Sequence, residues 1–175
     1  MIHRLLLASL AAALIALPAQ AQTVVLVRHG EKAGPTGDVD LSAAGQARAQ
    51  ALAGALSGAK VALVIATPLK RTAQTAQPTA RAAGVEITAI GFEGGDAAHA
   101  QRVAERARQA AAGATVLIVA HSNTLTQIAR ALGDPAPVVL TDCDYDSMTV
   151  LELGGAATRA LHTRYGAPTQ SCPGR

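Results

Sequence analysis

Two arginines and two histidines of the 175-residue sequence each follow closely on a short apolar run: Arg28, His29, Arg71 and His121. Each of them alone also fits an ordinary surface, loop or helix-start position. Together they suit an anion, most naturally phosphate, because guanidinium groups match phosphate oxygens in bidentate fashion. The residue types therefore predict a phosphate site, provided that one fold brings the four side chains together.

Short apolar runs rich in Val, Ile and Leu alternate with alanine-rich helical stretches along the chain, which predicts an α/β fold. The runs are almost wholly apolar, as in strands that helices cover on both faces. We therefore expect a three-layer αβα sandwich with a mostly parallel open sheet, and an active site at the carboxyl ends of its strands. The predicted parallel strands are Thr23–Val27, Val61–Ala66, Val85–Ile90 and Thr115–Ala120. The predicted helices are Ser42–Leu56, Pro68–Ala83, Ala97–Ala112 and Leu125–Leu132.

The end of the chain is predicted to form a hairpin of two strands, Ser147–Leu153 and Ala157–Arg164, across a Gly-Gly turn. Thr67, directly before Pro68, fits the N-cap of the second helix. The sequence contains no internal repeat, linker or second core, so residues 22–175 are expected to form a single domain.

Three segments of the sequence resemble the signature segments of the histidine phosphatase superfamily, the phosphoglycerate mutase-like phosphatases. They are Leu26–Glu31 (LVRHGE), Thr67–Ala76 (TPLKRTAQTA) and Ala120–Thr124 (AHSNT). Leu41 and Ser42, followed by Gly45, also resemble the start of that family's first helix. The segments occur in the family's order across nearly all of the chain after residue 21.

The resemblance implies phosphoryl transfer without a metal ion or other cofactor. In the family's pattern His29 attacks phosphorus and becomes a phosphohistidine, which water then hydrolyses. The phosphate oxygens would be held by Arg28, Arg71 and His121, of which His121 is also expected to share in catalysis. Gly30 would permit close approach of the backbone beneath the phosphate, and Glu31 would help to orient the site. A hydrogen bond from one ring nitrogen of His29 to a backbone carbonyl would turn the other nitrogen to phosphorus.

The acid that protonates the leaving group is the point where this sequence departs from part of the family. Ser122 follows His121 where one branch has an acidic residue, so the chain resembles the branch whose acid follows the Arg71 helix. The candidates are Glu93 and Asp96, in a Gly-rich loop. Glu93 is preferred by its type, and Asp96 also fits the N-cap of the third helix.

Charge and composition exclude several other classes of protein. The formal net charge is +3, and the basic residues are scattered rather than gathered in a stripe, so no nucleic-acid partner is expected. With only three aromatic residues, the chain also lacks the stacking platform of a single-strand binder. Lys32, Lys70 and His99 are expected to be solvated charges outside the site.

Residues 1–21 have the pattern of a cleaved signal peptide. A basic start precedes the apolar run Leu5–Leu17, and Ala19-Gln20-Ala21 forms a small-residue cleavage site. The alternative is a membrane anchor, but the run is shorter than the roughly 20 residues that a spanning helix needs. We expect a mature chain that begins at Gln22, has no membrane span and is periplasmic or secreted.

The two cysteines, Cys143 and Cys172, are expected to form a disulfide in such an oxidising compartment. Two unpaired thiols are the alternative. The chain has no CxxC motif, which argues against a redox active site and a zinc ribbon.

Three aspartates alternate before the last strands: Asp142, Asp144 and Asp146. Their spacing resembles a calcium loop, but Ser147 stands where such a loop needs Gly, and Leu153 stands where it needs Glu. We therefore expect no metal site, and a polar loop near Tyr145 at the rim of the cleft.

The sequence thus predicts a metal-independent phosphomonoesterase that hydrolyses a small phosphate ester through a phosphohistidine on His29. The alternative is a catalytically weak phosphate- or anion-binding or regulatory protein on the same fold. The two differ in whether Glu93 or Asp96 can deliver a proton to the leaving oxygen. Neither the natural substrate nor the oligomeric state follows from these residues.

Overall fold

The computed structural model describes residues 21–169, which form a six-stranded sheet with two helices on each face. The strands are β1 (Gln22–Arg28), β2 (Val61–Ala66), β3 (Ile87–Ala89), β4 (Thr115–Ala120), β5 (Ser147–Leu153) and β6 (Arg159–Arg164). The helices are α1 (Ala43–Ala55), α2 (Lys70–Ala83), α3 (Gly95–Arg108) and α4 (Ser122–Ala131). The predicted signal segment and Cys172 lie outside the described residues, so signal cleavage and the disulfide stay predictions.

The strand order is β3-β2-β4-β1-β5-β6. The first four strands in this order pair in parallel, and β5 pairs antiparallel with both β1 and β6. The predicted α/β fold with a mostly parallel sheet is therefore confirmed. Because β4 and β1 are neighbours at the centre, the residues that follow them leave the sheet side by side.

Two apolar cores lie on opposite faces of this sheet, and β1 supplies both. Val25 and Val27 pack with Leu52 of α1 and with α2 on one face. Val24 and Leu26 pack with α3 and α4 on the other. Successive side chains of a strand point to opposite faces, so a strand covered on both must be apolar at every position. The continuous apolar runs in the sequence have this physical cause.

The second and fourth helices begin at other residues than predicted. Helix α2 begins at Lys70 rather than Pro68, and Thr67 is not its N-cap, because Leu69 occupies that position. The predicted role of Thr67 was wrong. Helix α4 begins at Ser122, three residues earlier than predicted, directly after His121. Both differences lie at the carboxyl edge of the sheet.

The third strand is shorter than predicted, with three residues in place of the expected Val85–Ile90. Helix α2 ends at Ala83 and is capped by Gly84 in the left-handed conformation (φ 67°), and the Val85 N–H donates back to the Ala80 carbonyl. This helix ending occupies the residues that would otherwise lengthen the strand.

The two outer strands of the sheet differ in character. Strand β3 is short, whereas β6 runs for six residues and is mostly exposed. Its exposed side chains include Arg159 and Arg164, and Leu161 is 61% exposed. Within residues 21–169, no helix combines the length and apolar character needed to cross a membrane.

Candidate active site

His29 and His121 lie beside each other at the carboxyl edge of the sheet, with ring centroids 5.3 Å apart. Arg28 pairs with Ala120 in the β1–β4 register, so the next residue of each strand is a histidine. The His29 N–H donates to the Ala120 carbonyl oxygen at 3.0 Å. Both histidines are buried, with exposed fractions of 3% and 6%. The strand register thus brings together two residues that are far apart in sequence.

The imidazole of His29 is oriented by the next residue in the chain. Its Nδ1 lies 2.8 Å from the Gly30 carbonyl oxygen, which can only accept a hydrogen bond. The proton therefore sits on Nδ1, and Nε2 keeps its lone pair. The pKa of His29 is lowered to about 4, mainly by burial and also by the nearby Arg28 and Arg71, while the Gly30 hydrogen bond acts in the opposite direction. His29 is neutral near pH 7.

His121 is also held in its neutral form. Burial lowers its pKa to about 3, and the nearby His29 and Arg71 act in the same direction. Its Nε2 lies 3.0 Å from the Thr67 hydroxyl, which also contacts the Thr72 hydroxyl at 2.8 Å. Thr67, at the end of β2, therefore contributes a partner for His121 instead of a helix cap.

Arg28 is 4% exposed and is held by the loop before β5. Its Nη1 donates to the Thr141 carbonyl at 3.0 Å, and its Nη2 lies 3.3 Å from Asp142 Oδ1. The ring of Tyr145 lies against its guanidinium, with Cζ 4.1 Å from the ring centroid. The Nε atom is buried and has no hydrogen-bond partner among the described residues.

Arg71 lies in the first turn of α2, and its charge acts on both histidines. Its Nε, like that of Arg28, is buried without a hydrogen-bond partner in the described part of the chain. The Arg71 carbonyl accepts a hydrogen bond from the Thr75 hydroxyl at 2.7 Å, and the Gly30 N–H donates to that hydroxyl at 2.8 Å. Helix α2 is thereby connected directly to the loop that carries His29.

Gly30 and Glu31 connect this loop to α1. A Cβ atom at Gly30 would lie 2.8 Å from the Gly45 carbonyl oxygen, so the close approach here is to a helix backbone. Glu31 pairs with buried Arg48, with Oε1 2.6 Å from Nη2, and Arg48 also donates to the Tyr165 carbonyl at 3.3 Å. Gly30, by its close approach to Gly45, and Glu31, by its ion pair with Arg48, thus hold the backbone after His29 against α1.

The two carboxylates proposed as acids have different surroundings. The Glu93 side chain is 82% exposed and lies 3.4 Å from Arg102. Asp96 is half-buried, and its Oδ2 accepts a hydrogen bond from Asn123, two residues after His121, at 2.7 Å. Gly94 is the N-cap of α3, so the N-cap role considered for Asp96 was wrong. The hydrogen bond to α4 makes Asp96 the better placed of the two.

His99 is not a solvated charge as expected but is 1% exposed. Its Nδ1 lies 2.8 Å from the Gly91 carbonyl oxygen, and its ring lies 4.7 Å from that of Phe92. The ring of Phe92 lies 5.5 Å from that of His121, so this cluster borders the site. Sequence reasoning missed it because one histidine within a helix has no distinguishing pattern. Lys70 is exposed, whereas Lys32 is half-buried, and its charge also lowers the pKa of His29.

The three alternating aspartates have three different partners. Asp142 contacts Arg28 and also accepts a hydrogen bond from Ser122 at 3.1 Å. Asp144 accepts from Thr141. Asp146 pairs with Arg164 at 2.6 Å. The loop therefore contributes Asp142 and Tyr145 to the rim of the site, as the sequence led us to expect for its position.

Comparison with known proteins gives a family match over the first part of this structure. The family model of the histidine phosphatase superfamily (branch 1) matches residues 24–90, which include His29 and Arg71. Rv0525, an uncharacterised protein of Mycobacterium tuberculosis, is 45% identical over 64 residues, covering 33% of this chain and 32% of that protein. The chain thus matches about a third of the length of this curated relative.

Solved structures share the fold over most of the chain. The mycobacterial glucosyl-3-phosphoglycerate phosphatase Rv2419c has a TM-score of 0.60 at 18% identity, covering 83% of this chain and 99% of that one. A phosphoglycerate mutase from Bacillus anthracis has a TM-score of 0.65 at 12% identity, covering 83% of this chain and 93% of that one. At these identities the likeness is one of fold.

Proposed function

The chain belongs to the histidine phosphatase superfamily, and we propose that it is a phosphomonoesterase that hydrolyses a small phosphate ester through a phosphohistidine on His29. One observation carries the proposal. The buried Nε atoms of Arg28 and Arg71 have no hydrogen-bond partner among the described residues, and they lie beside two neutral imidazoles. Buried donors without a partner are costly, and phosphate oxygens would satisfy them.

The proposed reaction has two steps. In the first, the lone pair on His29 Nε2 attacks phosphorus, and the bond from phosphorus to the ester oxygen breaks. The leaving oxygen takes a proton from a nearby carboxylic acid, for which Asp96 is the best placed candidate. In the second step water attacks phosphorus, the phosphorus–nitrogen bond breaks, and the water proton returns to the carboxylate. Arg28, Arg71 and His121 would surround the phosphoryl oxygens throughout.

The arginines supply the positive charge that a metal ion provides in other phosphatases. Each guanidinium can donate two parallel hydrogen bonds to phosphate oxygens and stays charged at all working pH values. We therefore propose that turnover needs no metal ion. Activity that EDTA abolishes and Mg²⁺ or Zn²⁺ restores would contradict this part of the proposal.

A direct test is to look for the phosphoenzyme. Wild-type protein is incubated with ³²P-labelled phenyl phosphate. The reaction is quenched in alkaline detergent, because a phosphohistidine is stable in alkali and labile in acid. We expect label on the wild type and none on His29→Ala, which should also lose turnover by at least about 10³-fold. His162→Ala, on the distant strand β6, is the matched control and should keep both. Wild-type turnover in His29→Ala would exclude His29 as the nucleophile.

The same measurements separate this function from the alternative of a weak anion-binding or regulatory protein. Such a protein would bind inorganic phosphate in an Arg71-dependent way without turning over phenyl phosphate or p-nitrophenyl phosphate. Turnover of either ester would decide for the enzyme.

We also propose that the chain is exported to the periplasm or the medium, with cleavage before Gln22 and a disulfide between Cys143 and Cys172. The support is the apolar run and cleavage pattern near the N-terminus, together with the even number of cysteines. The intact mass of the exported protein should correspond to residues 22–175 and increase by two daltons on reduction. An unchanged mass on reduction would mean that the thiols are free.

A further inference from the structure

The whole chain contains three aromatic side chains of Phe, Tyr or Trp type: Phe92, Tyr145 and Tyr165. Tyr165 is 5% exposed and belongs to the core beneath α1 and α2. Phe92 and Tyr145 are half-buried and belong to neither apolar core of the described residues. Each of them lies against one of the two site histidines instead. A protein that builds its core from aliphatic residues has thus placed two of its three aromatic rings at the site.

The two rings border the histidine pair from different sides. Phe92 lies 5.5 Å from His121, and Tyr145 lies 6.0 Å from His29, measured between ring centroids. They come from separate loops, one before α3 and one before β5. We therefore expect a phosphate ester bound at the histidine pair to lie close to both rings.

Both rings are held in place by their other contacts. Phe92 packs on the buried ring of His99 at 4.7 Å, and His99 is hydrogen-bonded to the carbonyl of Gly91. Tyr145 is held by the guanidinium of Arg28 at 4.1 Å and by its own N–H, which donates to Thr169 Oγ1 at 3.3 Å. Rings that are already fixed lose little conformational entropy when a flat group packs on them, which favours binding.

From this placement we propose that Phe92 and Tyr145 select phosphate esters whose leaving group is a planar aromatic ring, so that aryl phosphates are the preferred substrate class. The inference rests on the proposed phosphatase function. Aromatic rings attract one another in offset or edge-to-face geometry beyond the effect of apolar area alone, typically enough for about five- to ten-fold in affinity. A saturated ring of similar size buries a similar apolar area but lacks this attraction between aromatic rings.

Phosphonates test the inference without the confounding effect of leaving-group chemistry, because their carbon–phosphorus bond is not hydrolysed. We would measure dissociation constants of phenylphosphonate, cyclohexylphosphonate and inorganic phosphate by calorimetry. Phenylphosphonate should bind wild-type protein about five- to ten-fold more tightly than cyclohexylphosphonate. The ratio should fall below about twofold in Phe92→Leu and in Tyr145→Leu, and it should survive in Tyr145→Phe. Leu161→Ala, on exposed β6, is the control and should keep the wild-type ratio.

The outcomes distinguish the two proposals. Equal affinity of wild type for the two phosphonates, or a preference that persists in both leucine variants, would overturn the aromatic selection while leaving the phosphatase function intact. Failure of wild type to bind phosphate or any phosphonate would overturn the phosphate pocket and this inference with it. Thermal unfolding of each variant verifies that the fold is retained.

Discussion

Gly30 and Gly45 lie backbone against backbone, so a Cβ atom at Gly30 would come within 2.8 Å of the Gly45 carbonyl oxygen. A Cβ atom at Gly45 would in turn meet the carbonyl oxygen of Glu31. Backbone atoms have less freedom to move aside than the end of a flexible side chain. The position of the loop that carries His29 therefore depends on α1 having no side chain at residue 45.

We predict that Gly45→Ala lowers the free energy of unfolding by about 1–3 kcal/mol, because the added methyl group overpacks the contact with Glu31. Turnover should fall as well, since the loop after β1 must shift. Gly54→Ala in the same helix is the matched control: its Cβ would meet no atom within 4 Å. That variant should gain about 0.5 kcal/mol from better helix propensity. Urea unfolding measures the stability of both variants, and equal stability of the two would contradict the prediction.

The residue that protonates the leaving group can be identified by measuring how much each variant slows the hydrolysis of esters with different leaving groups. An alkyl oxygen needs a proton to depart and p-nitrophenolate scarcely does, so loss of the acid should slow alkyl phosphates about 10²- to 10⁴-fold more than p-nitrophenyl phosphate. We expect this contrast in Asp96→Asn, because Asp96 is hydrogen-bonded to Asn123 close to His121. Glu93→Gln is expected to show less of it, and Glu86→Gln, on the loop before β3, should match wild type. Equal losses on both esters in Asp96→Asn would count against Asp96.

We predict that Asp142 competes with phosphate for Arg28. Its carboxylate lies 3.3 Å from the guanidinium, yet its side chain is 91% exposed, so the pair can separate at little cost. We predict that Asp142→Asn binds inorganic phosphate about two- to five-fold more tightly at low salt, with a smaller gain at high salt. Glu152→Gln removes a similar exposed charge on the distant hairpin and should leave the affinity unchanged. Weaker phosphate binding by Asp142→Asn would show that the carboxylate supports the pocket.

The buried histidines make stability depend on pH. The pKa of His29 is about 4 when folded, below its ordinary value of 6.5, so between these values the unfolded chain binds a proton that the folded chain does not. The stabilisation is complete above pH 6.5 and is lost as the pH falls towards 4. At pH 4.5 the loss from His29 is on the order of 2 kcal/mol. The free energy of unfolding of His29→Asn should therefore fall less between pH 7 and 4.5, and an unchanged pH dependence would contradict the assignment.

The four central residues were predictable because strand ends carry a strong local signal. Continuous apolar runs identify buried parallel strands, and polar residues directly after them must lie at one edge of the sheet. Arg28 is the last residue of β1, His29 and His121 directly follow β1 and β4, and Arg71 follows β2 through the first turn of a helix. The placement of these residues needed no knowledge of the loops.

The surroundings of these residues could not be predicted, because they depend on side-chain packing between distant segments. Thr67 has the local pattern of a helix cap, but its hydroxyl is occupied by His121 and Thr72. His99 lies on the buried face of α3 and packs on Phe92, a contact without a local pattern in the sequence. Asp142 and Tyr145 reach Arg28 because β5 pairs antiparallel with β1, with Met148 opposite Val27, which places the loop before β5 beside the end of β1.

The two outer strands of the sheet also determine how the protein behaves towards its own copies. An outer strand has unpaired backbone groups that can template pairing with another chain, which is a route to aggregation. On one side β3 provides only three residues for such pairing. On the other side, β6 carries the exposed charged side chains of Arg159 and Arg164, and charged residues discourage pairing at an outer strand. Brevity at one edge and charged side chains at the other thus both limit edge-to-edge pairing between copies of the chain.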